Sequence, residues 1–154
     1  MKLLHFSVIP MLLLVFLAVR ALADMGRPPN IIYILVDDLG YRELGSYGQE
    51  KIKTPRLDAL AAEGMRFTQH YSGAPVCASS RCVLMTGLHC GHSLVRNNWE
   101  NGGWGEFQPE GQYPLPTGTR TMASLLKEAG YTTGVFGKWG LGGPGTTGAP
   151  EVQG

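Results

Sequence analysis

Neither sign of charge prevails in this sequence: 13 lysines and arginines stand against 12 aspartates and glutamates in 154 residues. Binding of nucleic acid or an anionic membrane through a general field needs a basic excess, so neither partner is expected. No tandem repeat is visible, which sets aside repeat architectures. Long apolar runs are almost absent. The exception runs from Phe6 to Val19, is interrupted by Pro10, and falls short of the about 20 apolar residues that a spanning helix requires. With Lys2 ahead of it and Ala21-Leu22-Ala23 behind, residues 1–23 read as a secretory signal cleaved after Ala23, an uncleaved anchor being the alternative. Removal of Lys2 and Arg20 with that segment leaves 11 basic and 12 acidic side chains over 24–154, a formal charge of −1 and the length of one domain. Export is therefore expected, to a periplasmic, extracellular or lumenal space, without stable membrane insertion.

Cysteine is scarce and odd in number: Cys77, Cys82 and Cys90. An exported chain with three cysteines has either an intermolecular partner or one thiol with another use. If Cys77 is that thiol, Cys82 and Cys90 form an even pair, bridged or free.

The local patterns are those of an α/β protein. Ile31 to Val36 (IIYILV) is a continuous apolar run rich in β-branched residues, as in a strand covered on both faces of a parallel sheet. It stops at Asp37-Asp38, and in open α/β sheets sites gather beyond the carboxyl ends of strands. Thr54 and Pro55 predict a helix start, Leu57, Leu60 and Ala61 its apolar face, and Gly64 its end. Met65 to Tyr71 is a candidate short strand. A second unit repeats the form: Thr119 or Thr121 caps a helix through Leu125, Leu126 and Ala129, Gly130 ends it, and Tyr131 to Phe136 reads as a strand with Lys138 just beyond. Between them, Asn97 to Gly118 is a long loop whose Trp99, Trp104 and Phe107 favour order and pocket lining.

The most specific stretch is Cys77-Ala78-Ser79-Ser80-Arg81, closing on Gly87. It predicts a helix with Cys77 at or beside its N-terminus, where unpaired N–H groups and the helix dipole favour a thiolate, sulfate or phosphate. Arg81, four residues on, faces the same side and can hold anionic oxygens. Asp37 and Asp38 repel one another and on a regular strand would point apart, so they converge only where extended geometry breaks. A hard divalent cation reconciles them.

PVCASSRCVLMTG resembles the signature of the type I sulfatases, whose cysteine is oxidised to formylglycine. Asn30–Gly40 (NIIYILVDDLG), Thr54–Phe67 (TPRLDALAAEGMRF) and Gly130–Gly142 (GYTTGVFGKWGLG) resemble further blocks of that family in the same order, spread over nearly all of the chain after residue 29. The resemblance implies an alkaline-phosphatase-like fold, a largely parallel sheet flanked by helices, with 24–154 as the N-terminal part of a domain that relatives continue and complete with an Asp-Asn pair. It implies sulfate ester hydrolysis on a sulfated small molecule or carbohydrate. Cys77, modified by the formylglycine-generating enzyme, is the implied nucleophile. Arg81 steadies it, Lys138 binds sulfate, and Asp37, Asp38 and Cys77 ligate calcium, with magnesium as the other choice. Phosphate or phosphonate ester hydrolysis and an inert fragment are the alternatives. Ser79 stands where the modification motif has proline or alanine. Gly140 stands where many relatives have a histidine, and His92 is the nearby histidine that could approach the site.

Overall fold

The structure, a computed structural model, describes residues 28–98 and 113–154. The signal segment and the aromatic loop positions Trp99, Trp104 and Phe107 lie outside the described residues. The chain divides after Val36 into two units. In the first, the described residues 28–36 carry neither helix nor strand, and Ile31 to Val36 are exposed.

The second unit, from Asp37, contains a 3-10 turn at Gly45–Tyr47 and the helices α1 (Pro55–Glu63), α2 (Cys77–Thr86), α3 (Met122–Glu128) and α4 (Pro150–Gln153). α1 begins and ends where the sequence predicts, with Pro55 first and the Gly64 N–H returning to the Leu60 carbonyl at 3.0 Å. Thr54, however, does not cap it with its side chain. That hydroxyl accepts from the Gly45 N–H at 2.8 Å and donates to Asp58 Oδ1 at 3.1 Å, while Asp58 also accepts from the Ser46 N–H. The 3-10 turn has taken the group that the helix end would have used.

At α3 the choice between Thr119 and Thr121 falls to Thr121. Its Oγ1 accepts from the Ser124 N–H at 3.0 Å, and the Thr121 N–H donates to Ser124 Oγ at 2.9 Å, a reciprocal capping box. The other end closes as a Schellman motif: Gly130 N–H bonds the Lys127 carbonyl, Tyr131 N–H bonds the Leu126 carbonyl, and Gly130 has a φ of 86°.

The core is small and built around α2. Ala78, Cys82 and Met85 form one helical stripe, and they pack with Val95, Leu115, Leu141 and Trp139. Leu115 and Leu141 are fully buried, each contributing about 1.5–3 kcal/mol by removal from water. Their backbones are also tied, Leu115 N–H to the Leu141 carbonyl at 3.0 Å. Trp139 Nε1 donates to the Gly148 carbonyl at 2.7 Å, and a Cβ at Gly148 would lie 2.1 Å from the Leu141 carbonyl oxygen. Only glycine permits that approach, and it holds the loop containing Lys138 against α2.

The expected sheet does not form among the described residues, which contain no strand. Residues 31–36, 65–71 and 131–136 make no ladder. A parallel strand is stabilised only by neighbouring strands and helices on its faces, and here Val135 and Phe136 are exposed. Leu57 and Leu60 on α1 are likewise exposed. No helix among the described residues is long and apolar enough to cross a membrane.

Candidate active site

Cys77 is the first residue of α2, and the helix closes at Gly87, whose φ is 67°. Val76 precedes it and offers no side-chain cap. The free N–H of Ala78 is instead satisfied from 20 residues away, by Asn98 Oδ1 at 2.8 Å. Asn98 is the site-positioning residue that the sequence does not reveal. Helix-capping signals are read from neighbouring residues, and this acceptor sits in an irregular stretch with no local link to α2.

One turn along, Arg81 is buried and directs its NH2 group to Asp37 Oδ1 at 2.9 Å. Its NH1 atom is buried without a hydrogen-bond partner among the described residues. Lys138 Nζ donates to the other oxygen of the same carboxylate, Asp37 Oδ2, also at 2.9 Å. Asp37 thus receives two cations from positions 44 and 101 residues away.

The acidic pair converges because the chain turns there. Asp38 has a φ of 55°, the left-handed conformation that aspartate tolerates better than most residues, and this breaks the alternation that would point the side chains apart. As a result Asp37, Asp38 and Cys77 present ligand atoms all within 4.8 Å of one another. Two carboxylates and a sulfur-bearing residue at that spacing form a donor set that can hold a divalent ion. The hydrogen bond from Lys138, with the Arg81 charge adding to it, holds the Asp37 carboxyl below the usual carboxylate range. The same bond, chiefly, raises Lys138 above the ordinary lysine value.

Every residue predicted for the site is therefore brought to one place: Cys77, Arg81 and Lys138 around Asp37, with Asp38 alongside. His92 is exposed and stacks edge-on against His89, ring centroids 6.4 Å apart, with no bond to this group. Cys82 is buried in the core, and Cys77, Cys82 and Cys90 are all free thiols. Gly140 has a φ of 77°, so a side chain in the place of the relatives' histidine would be strained. Ser79 is buried in the first turn of α2, its Oγ donating to the Val76 carbonyl at 3.1 Å. An open cleft of about 600 Å3 lies elsewhere, between the 3-10 turn and α1, lined by Ser46, Lys53, Asp58 and Arg66 among others. It holds none of the clustered groups. Its chemistry is that of the Thr54–Asp58 turn lock.

A buried guanidinium and an ammonium facing a cysteine at a helix start, with two carboxylates beside it, is an arrangement suited to a tetrahedral anion. Residues 29–153 match the sulfatase family model, and the chain belongs to that family. With membership comes an alkaline-phosphatase-like fold. The chain is 42% identical over 134 residues to human steryl-sulfatase, covering 87% of this chain and 22% of that protein. It is 42% identical over 139 residues to human arylsulfatase A, 90% of this chain and 26% of the relative. Similarity also extends to an N-acetylgalactosamine-6-O-sulfatase of Bacteroides thetaiotaomicron, 43% over 117 residues, 76% of this chain and 21% of that one. The chain spans about a fifth to a quarter of the length of these curated relatives.

Proposed function

We propose that the complete protein hydrolyses sulfate esters, on a sulfated carbohydrate or other small molecule, with residue 77 as nucleophile. The observation that carries this is the convergence of Cys77, Arg81 and Lys138 on Asp37 and Asp38 in a chain of the sulfatase family. The exported chain meets the formylglycine-generating enzyme on its way, and Cys77 is converted to formylglycine. Ser79 occupies the motif position that this enzyme reads.

Catalysis requires a nucleophile at sulfur, cations around the sulfuryl oxygens, and departure of the alcohol. One hydroxyl of the hydrated residue 77 attacks sulfur and the ester oxygen leaves with a proton. The second hydroxyl then gives up its proton, the bond to sulfate breaks, and the aldehyde returns. Arg81, fixed on α2, holds residue 77 and faces developing negative charge; Lys138, on a flexible stem, binds a sulfate oxygen. Asp37, Asp38 and residue 77 would hold calcium, an ion suited to oxygen ligands, which when bound would lower the pKa of a hydroxyl and offset charge on the ester. In this reading residues 31–36 and 131–136 are strands of the family's parallel sheet, placing Asp37 and Lys138 at its carboxyl edge.

The test uses the complete gene product made in its own host. The peptide containing Cys77 is expected to carry an aldehyde in place of the thiol, and the protein to release sulfate from an aryl sulfate. Cys77→Ala should abolish turnover. Faster hydrolysis of the matching aryl phosphonate would move the assignment to that ester class.

A further inference from the structure

The two oxygens of Asp37 are held by cations of unequal freedom. Arg81 lies on α2 between the core residues Ala78 and Cys82, its side chain 9% exposed. Lys138 sits in a loop, its side chain 53% exposed, at the end of four methylenes. Asp38 forms no ion pair among the described residues, although it lies within ligand distance of Asp37 and Cys77. A divalent ion shared by these three groups needs an Asp37 oxygen and repels any ammonium already on it. Arg81 cannot swing away without opening the core, whereas Lys138 can.

We propose that Lys138 is an exchangeable counter-ion of Asp37: a divalent cation held by Asp37, Asp38 and residue 77 takes over Oδ2, and the displaced ammonium becomes the anchor for an anionic group of the substrate. The proposal rests on the sulfatase reading of the cluster and adds a linkage to it. If the ion frees Lys138 for an anion, the anion, by keeping Lys138 away from Asp37, strengthens the ion by the same factor. Metal binding and sulfate binding are then mutually reinforcing through one side chain that is not itself a metal ligand.

The experiment is calorimetric titration of calcium, and separately magnesium, into the chelator-treated complete gene product, with and without saturating inorganic sulfate. Wild type is compared with Lys138→Met, Lys138→Arg and Asp38→Asn. Without sulfate, Lys138→Met should bind the ion about two- to fivefold more tightly than wild type, the range of an exposed ion pair. Lys138→Arg, which keeps the competing charge, should stay near wild type. Sulfate should tighten ion binding to wild type and leave Lys138→Met unchanged. Unaltered or weaker ion binding by Lys138→Met overturns the exchange while leaving the metal site standing, as does equal tightening in Lys138→Arg, which would trace the gain to shape. Absence of any binding that Asp38→Asn removes would sink the metal site and the exchange together. Far-ultraviolet circular dichroism of each variant distinguishes a binding change from loss of fold.

Discussion

At the scale of single residues, Asp37 organises the cluster, and its ionisation should show in stability. Its folded-state pKa is depressed below 3.8, first by the Lys138 hydrogen bond, so its contribution is fully present above the unfolded value and is lost as pH falls through the folded one. Lys138 is raised above 10.5, so its contribution is present below that value and lost as pH rises through the folded one. Denaturant unfolding followed from neutral to acid pH should therefore decline less steeply in Asp37→Asn than in wild type; parallel curves would show that the pairs contribute nothing. Arg81 tests a different balance. A buried NH1 with no partner among the described residues carries an unmet desolvation penalty of about 1–3 kcal/mol, so Arg81→Met should match or exceed the wild type in melting temperature while losing sulfate affinity. A large fall in melting temperature would mean that the guanidinium is a structural tie. The residue types were legible in the sequence, since a cysteine at a helix start, an arginine four residues on and an acidic pair at the end of an apolar run each point to anion or metal chemistry locally. That Asp37 rather than Asp38 takes both cations was not, because it depends on a left-handed turn at Asp38 and on partners far apart in the chain.

Elements carry the next set of expectations. α2 presents Cys77 because Asn98 accepts from its first turn, so Asn98→Ala should destabilise that end by about 0.5–2 kcal/mol. Amide hydrogen exchange at Ala78 should quicken with it, and unchanged protection would remove Asn98 from the account. Thr121→Ala should cost about as much through the capping box, with a further loss from its bond to the Gln153 carbonyl, readable as a lower urea midpoint. Thr54 and Thr121 bear the same sequence signature, yet only Thr121 caps. The difference is a competitor: Gly45 and Ser46 present N–H groups to Thr54 and Asp58, and no window around α1 reveals a turn ten residues upstream. Helix limits were legible from Pro55, Gly64, Gly87 and Gly130, which act locally. The strands were not realised because sheet structure is a property of partners and faces, and the patterns at 31–36 and 131–136 describe only one side of each pairing.

For the molecule as a whole, apolar side chains at 31–36 stand exposed in this chain, whereas the family reading buries them between helices. The two situations give opposite outcomes for one substitution. Ile34→Lys should leave the stability of the 154-residue chain nearly unchanged and reduce its light scattering, but should destabilise the complete gene product by several kcal/mol through a buried charge. Loss of stability in both would place Ile34 in a core already. The packing of Trp139 has an optical corollary. Its indole N–H is committed to Gly148 and its ring rests on the core, one peptide bond from Lys138. Movement of that ammonium changes the field across a chromophore whose own position is clamped, so emission from Trp139, with the other two tryptophans replaced by phenylalanine, gives the protein a built-in gauge of when its lysine changes partners.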